Sequence, residues 1–168
     1  MALIQFTGTT ANTVGELPEK GTKAPGFILT KANLSSVSLD DFKGKKVVLN
    51  IFPSVDTGTC AQSVRTFNKA AAQLADTIIL CISKDLPFAL SRFCGAEGID
   101  QLEMLSDYKN GGFGEAYGVE FKDGPFQALF SRAVIVLDEQ GVVVHAEQVP
   151  VIGNEPDYNA ALEALRNA

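Results

Sequence analysis

A chain of 168 residues, 46% of them apolar, is long enough to bury a core without disulfide or metal staples, and its length suits one domain over residues 1–168. The net charge of −6 argues against a nucleic-acid partner, since phosphate binding needs clustered cations and the only such cluster is the short "KGKK" at 43–46. The longest apolar runs, "VVLNIF" and "TIILCI", are strand-length and too short to span a bilayer, so no membrane partner is expected.

In chain order, "ALIQF" and "ANTVG" flank a Gly/Thr turn and predict an N-terminal β-hairpin. The Pro-, Gly- and charge-rich "ELPEKGTKAPGF" is a loop leading to a short strand, "FILT". "SLDDFKGK" reads as one helical turn before "KVVLNIF", a strand apolar on both faces and therefore central in a covered sheet. Val64, Phe67, Ala71 and Leu74 then recur at helical spacing. "TIILCIS" is a second doubly buried strand. "LPFALSRFCGAEG" is a helix that starts with Pro87 and stops at glycine. Residues 100–130 are less regular, with a short strand near "LEML", a short helix in "GGFGEAYG" and a Gly-Pro loop. "RAVIVLDEQGVVVHAEQV" predicts a hairpin turning at Glu139-Gln140-Gly141, and "EPDYNAALEALRNA" a closing helix. This order implies an α/β protein with a mixed central sheet flanked by helices. It is the pattern of a thioredoxin-like fold carrying an N-terminal β-hairpin extension.

The N-terminal "MALIQFTGTT" lacks the basic and apolar regions of a signal peptide, so a cytoplasmic protein is expected. The three cysteines, Cys60, Cys81 and Cys94, lie far apart and contain no Cys-x-x-Cys pair. With His145 as the only histidine, neither a disulfide framework nor a metal site is expected, and no cofactor motif is present: "GGFGEAYG" lacks dinucleotide spacing and there is no P-loop.

Cys60 falls in the first turn of the helix that follows "FPSVDTG". Free backbone N–H groups and the positive end of the helix dipole favour an anion there, and so favour a nucleophilic thiolate. The plainer reading is a small core residue, because free cysteine is commonly buried. Thr57 lies one turn earlier, within reach of the sulfur or an oxygen beside it, and Pro53 shapes the loop and shields it from water. Cys81, within a doubly apolar strand, reads as an inert packing thiol, as does His145 in its hairpin strand.

"PSVDTGTC" contains Pro-x-x-x-Thr-x-x-Cys, the signature of the peroxiredoxins. Together with "LPFALSRFCGAEG" and the Gly-Pro loop before "SRAVIVLDEQG", the whole chain resembles the bacterial thiol peroxidase subfamily, an atypical two-cysteine group. The resemblance implies a thiol peroxidase acting on hydrogen peroxide and organic hydroperoxides. In it Cys60 is the peroxidatic cysteine, Thr57 aligns the peroxide, and Arg132 stabilises the thiolate and the developing charge. Arg65 and Arg92 are competing cations that match the pattern less well. Cys94 is implied as the resolving cysteine in an intrachain disulfide, with thioredoxin as reductant and a homodimer as the assembly. Thr59 departs from the apolar residue that relatives often carry before the nucleophile, which bears on substrate preference. A rival reading is a redox sensor using the same disulfide. A thioredoxin-type oxidoreductase lacks its second thiol, because Ala61-Gln62-Ser63 follow Cys60.

Overall fold

The computed structural model describes residues 1–168. The chain opens with an antiparallel hairpin, β1 (Leu3–Phe6) and β2 (Thr9–Asn12), separate from the main sheet. Its second strand starts two residues earlier than the sequence suggests, since Gly8 turns with φ 77° and Thr9 already pairs with Phe6. The hairpin buries Ile4 and Ala11 against Phe121, a small core of its own. Next come β3 (Ile28–Lys31) and β4 (Ser36–Ser38), an antiparallel pair. The serine-rich β4 carries no apolar alternation that marks it as a strand, and only its pairing with β3 reveals it. A 3-10 turn at Leu39–Phe42 leads into β5 (Lys46–Ile51).

From β5 the chain runs through α1 (Gly58–Ala71), β6 (Thr77–Ser83), α2 (Pro87–Glu97) and β7 (Glu103–Ser106). These parallel crossovers bring the C-terminal ends of the three strands to one edge. A short helix, α3 (Phe113–Ala116), and an irregular stretch precede the hairpin of β8 (Ala133–Leu137) and β9 (Val143–Gln148), and α4 (Tyr158–Asn167) closes the chain. The sheet has seven strands in the order β4-β3-β7-β6-β5-β8-β9. It is mixed, with β8 antiparallel to β5 and β3 antiparallel to β7.

Period-two alternation splits the apolar strands between two cores. Val48, Ile79, Cys81, Val134 and Val136 face α1, α2 and α4, while Val47, Leu49, Ile51, Leu80, Ile82, Ile135 and Leu137 face the other way. The second face is covered by α3 and loops, anchored by Phe27, Phe113, Tyr117 and Phe130, so long helices cover one side only. Phe113 and Tyr117 stack with centroids 4.4 Å apart, and the Tyr117 hydroxyl donates to the Pro25 carbonyl at 2.6 Å. Both cores are contiguous apolar clusters, which keeps β5, the strand that leads to Cys60, fixed on both faces. Leu74 packs on the α1 side although α1 ends before it, at Ala71, because the chain bends there but continues along the same face.

Candidate active site

Cys60 is the third residue of α1 and is fully buried. The strand before it ends at Ile51, and Phe52 still donates to the Ile82 carbonyl at 3.1 Å. Pro53, itself buried, then ends the pairing because it has no N–H to give. The chain turns through Ser54–Thr57, with the Thr57 N–H donating to the Ser54 carbonyl at 3.2 Å. Thr57 is the N-cap residue with extended backbone, yet its hydroxyl does not cap the helix; it donates to the Ser54 carbonyl at 3.1 Å. That choice has a chemical consequence. With its proton engaged, the Thr57 oxygen presents lone pairs and can accept a hydrogen bond from an incoming O–H.

The cation at the site is Arg132. It directly precedes β8, and because β8 runs antiparallel to β5 with Ala133 opposite Ile51, it arrives where β5 gives way to the Cys60 turn. Alternation puts it on the face of Val134 and Val136, under α1. Its Nη1 donates to Cys60 Sγ at 3.2 Å and its Nη2 to the Ile152 carbonyl at 2.9 Å. Arg132 is 2% exposed and its Nε has no partner. No carboxylate forms an ion pair with it. A buried guanidinium left without a carboxylate costs several kcal/mol, roughly, unless another anion answers it. The atom it points at is the Cys60 sulfur.

Arg65 and Arg92 are engaged elsewhere. Arg65 makes a bidentate pair with Glu97 at 2.9 Å for each bond, and Arg92 pairs with Asp56 at 2.9 Å. Both bridges tie α2 to α1 or to the turn that leads into it. Thr59 also lies at the rim, its hydroxyl donating to the Gly153 carbonyl at 3.0 Å. Beside it is an open recess lined by Gly58, Gln62, Asn154 and Glu155, with no apolar side chain.

Cys94 lies one turn inside the C-terminal end of α2, half-buried against the α1-side core. Its carbonyl accepts the N–H of Gly98, which ends the helix in the left-handed region with φ 66°, and that of Ile99 at 3.0 Å. Burial, with a smaller contribution from Glu103, pushes its thiol above the ordinary range. All three cysteines are free thiols. Cys81 is pushed up to about 12 by burial, despite a weak donation from Asn50 Nδ2 at 3.5 Å.

Three further groups at the site belong to no motif in the sequence. The segment 150–152 supplies the carbonyl that holds Arg132, and β1 grips it: Gln5 N–H donates to Pro150 at 2.8 Å and Ile152 N–H to Gln5 at 3.0 Å. The N-terminal hairpin thus braces the guanidinium through one loop. Asn50 and Ser63 form a buried chain beneath the nucleophile, Asn50 Nδ2 to Ser63 Oγ at 3.2 Å and Ser63 Oγ to the Cys60 carbonyl at 2.8 Å. Polar residues at apolar positions of a strand and a helix stripe are the clue that could have flagged them. The third is Asp85, which receives the Ser54 hydroxyl and the Val55 N–H.

A thioredoxin-like sheet that presents a buried cysteine at a helix N-terminus, bonded to an arginine that has no carboxylate partner and directly precedes a neighbouring strand, defines a thiol-based redox protein. The Redoxin family pattern matches residues 19–162. The thiol peroxidase of Mycobacterium tuberculosis is 53% identical over 165 residues, covering 98% of this chain and 99% of that protein. The thiol peroxidase of Corynebacterium glutamicum is 52% identical over the same shares of both chains. Among solved structures, a peroxiredoxin-like protein from Aquifex aeolicus superposes with a TM-score of 0.91 at 27% identity, over 99% of this chain and 97% of that one. The chain belongs to the Redoxin family, within the thiol peroxidase group of the peroxiredoxins.

Proposed function

We propose that the protein is a peroxidase in which the Cys60 thiolate attacks the terminal oxygen of hydrogen peroxide or an organic hydroperoxide. The O–O bond breaks, the leaving alkoxide or hydroxide takes a proton to leave as alcohol or water, and Cys60 becomes a sulfenic acid. The observation that carries this reading is the buried guanidinium of Arg132, bonded to Cys60 Sγ at 3.2 Å and paired with no carboxylate. A cation held in a low-dielectric site stabilises both the thiolate and the charge that develops on the departing oxygen. Thr57, whose proton is directed to Ser54, accepts the hydrogen bond of the peroxide O–H and sets its direction. Pro53 keeps water away from the sulfur.

Cys94 then condenses with the sulfenic acid, releasing water and leaving an intrachain Cys60–Cys94 disulfide. A thioredoxin dithiol reduces this bond by exchange, regenerating both thiols. Cys94 suits the role better than Cys81, because it is half-buried near a helix end, whereas Cys81 is sealed within β6 and its thiol stays protonated. A homodimer working in the cytoplasm, where thioredoxin is kept reduced, completes the proposal; no helix is long and apolar enough to cross a membrane.

The test is NADPH oxidation through thioredoxin reductase and thioredoxin, with hydrogen peroxide and cumene hydroperoxide as substrates. Cys60→Ser is expected to abolish turnover. Cys94→Ser is expected to form the sulfenic acid once but not to turn over with thioredoxin. Full activity in Cys60→Ser would sink the mechanism, and a Cys60–Cys81 bond on peptide mapping would overturn the assignment of Cys94.

A further inference from the structure

The turn that carries Thr57 is fastened from outside by a residue on the next crossover. Asp85 lies between β6 and α2, two residues before the helix that bears Cys94. Its carboxylate collects three donors. Oδ1 accepts the Ser54 hydroxyl at 2.6 Å; Oδ2 accepts the Val55 N–H at 2.9 Å and the Ser83 hydroxyl at 2.7 Å. Its own N–H donates back to Ser83 Oγ at 3.3 Å, and its carbonyl accepts the Ser106 hydroxyl. The carboxylate is therefore pinned to the ends of β6 and β7, and it reaches across to a loop that belongs to β5.

From there the bonds run directly to Thr57. Ser54 Oγ, while donating to Asp85, accepts the Asp56 N–H at 3.1 Å, and the Ser54 carbonyl receives both the N–H and the hydroxyl of Thr57. Ser54 is thus fixed at its side chain by Asp85 and turns its carbonyl to Thr57. Release Ser54 and the Thr57 hydroxyl loses the acceptor that directs its proton. A carboxylate is electrostatically a poor choice near a group meant to be an anion. What it offers is acceptor capacity: one oxygen serves two donors while the other serves a third, which a single amide oxygen cannot match.

We propose that Asp85 is a positioning residue for peroxide reduction, holding the Ser54–Thr57 turn so that the Thr57 oxygen faces the substrate as an acceptor. The role rests on the peroxidase reading given above. It acts through Ser54 and Thr57 and leaves the Arg132–Cys60 contact to the opposite wall of the site.

The test compares two reagents at Cys60 in the full-length reduced protein with Cys81 and Cys94 present. Single-turnover oxidation by hydrogen peroxide needs an aligned O–O bond, whereas alkylation by iodoacetamide needs only a reachable thiolate. Asp85→Ala is expected to slow peroxide oxidation by at least 10-fold and alkylation by less than about 3-fold. Asp85→Asn, which can keep the Val55 and Ser83 bonds through one oxygen, should recover part of the peroxide rate. Ser54→Ala should lower the same ratio, and adding it to Asp85→Ala should cost little more, since both cut one chain of bonds. If Asp85→Ala does not fold, Asp85→Asn and Ser54→Ala carry the comparison. An unchanged peroxide-to-alkylation ratio in the folded variants would overturn the proposal, as would equal losses in both reactions. A wild-type Cys60 inert to peroxide is a different result, because it removes the peroxidase reading itself.

Discussion

At the scale of single residues, the site is organised around an unfavourable burial. Arg132 sits at 2% exposure with Nε unpartnered and no carboxylate in ion-pair contact. Replacing buried charged groups by apolar side chains of similar volume is often neutral or stabilising, by about 1 kcal/mol or more, provided that no partner charge is left buried and unanswered, and Arg132 has no carboxylate partner to leave behind. Activity should move the other way, because losing a preorganised donor at a developing charge typically costs about 10²–10³ in rate. Arg132→Met is therefore expected to leave the reduced protein as stable as wild type or more so in urea unfolding, while the single-turnover rate with hydrogen peroxide falls by roughly 100-fold or more. Arg132→Lys keeps the charge but offers one ammonium where two separate nitrogens now serve Cys60 and Ile152, so an intermediate loss is expected. A Met variant that loses stability and activity together would mean that the guanidinium is chiefly structural.

At the scale of elements, the Cys60–Cys94 bond proposed above needs the two Cα atoms within about 7 Å, and the two thiols sit on separate packed helices, so local unwinding of α2 is expected to accompany its formation. Gly95 follows Cys94 inside α2, and a Cβ placed there would meet nothing within 4 Å. Its backbone is not in the left-handed region, so neither space nor backbone conformation demands a glycine. Glycine inside a helix instead lowers its stability by about 0.5–1 kcal/mol relative to alanine. Gly95→Ala should therefore raise stability by that amount and slow disulfide formation about 2- to 5-fold after a peroxide pulse, with more Cys60 trapped as sulfinic acid. Mass mapping of quenched time points reads both products. Unchanged disulfide kinetics would mean that α2 does not unwind at Gly95. This weak point was partly legible in the sequence, where Cys94 and Gly95 are adjacent. The stop at Gly98 was legible too, as the glycine that ends "LPFALSRFCGAEG"; what could not be read was that the Cys94 carbonyl is held by the N–H groups of both Gly98 and Ile99. The same holds elsewhere: apolar runs and Pro87 marked β5, β6 and α2 because period and punctuation are local, whereas β4 exists only through its partner strand.

At the scale of the whole molecule, long-range pairing decides what the sequence could and could not reveal. Cys60, Thr57 and Pro53 lie in one short stretch and are legible as a unit. Arg132 is 72 residues from Cys60 and reaches it only because β8 runs antiparallel beside β5. Asp85 and the 150–152 loop are joined to the site by hydrogen bonds that no local pattern encodes. The doubly covered sheet has a further thermodynamic consequence through Cys81, which is sealed in the core facing α1. Burial, the dominant cause, raises its thiol to about 12, against an ordinary value of 9.0. In the unfolded chain this thiol loses its proton near the ordinary value, while the folded chain keeps it. Between those two values the native state binds more protons than the unfolded state, so stability is complete below about pH 9 and is lost as pH rises towards 12. One such group contributes a slope of about 1.4 kcal/mol per pH unit. Tyr117 and Tyr158, also raised chiefly by burial, add losses of the same sign in the alkaline range. Comparing wild type with Cys81→Ala isolates the thiol. The variant should be less stable at pH 7, by about 1 kcal/mol for a small cavity; between pH 8.5 and 10.5 the wild type should lose about 1–2 kcal/mol more than the variant, closing that gap or reversing its sign, in urea unfolding under reducing conditions. Curves that stay parallel across that interval would show that Cys81 is reached by water in the native state and is not the inert thiol that its burial describes.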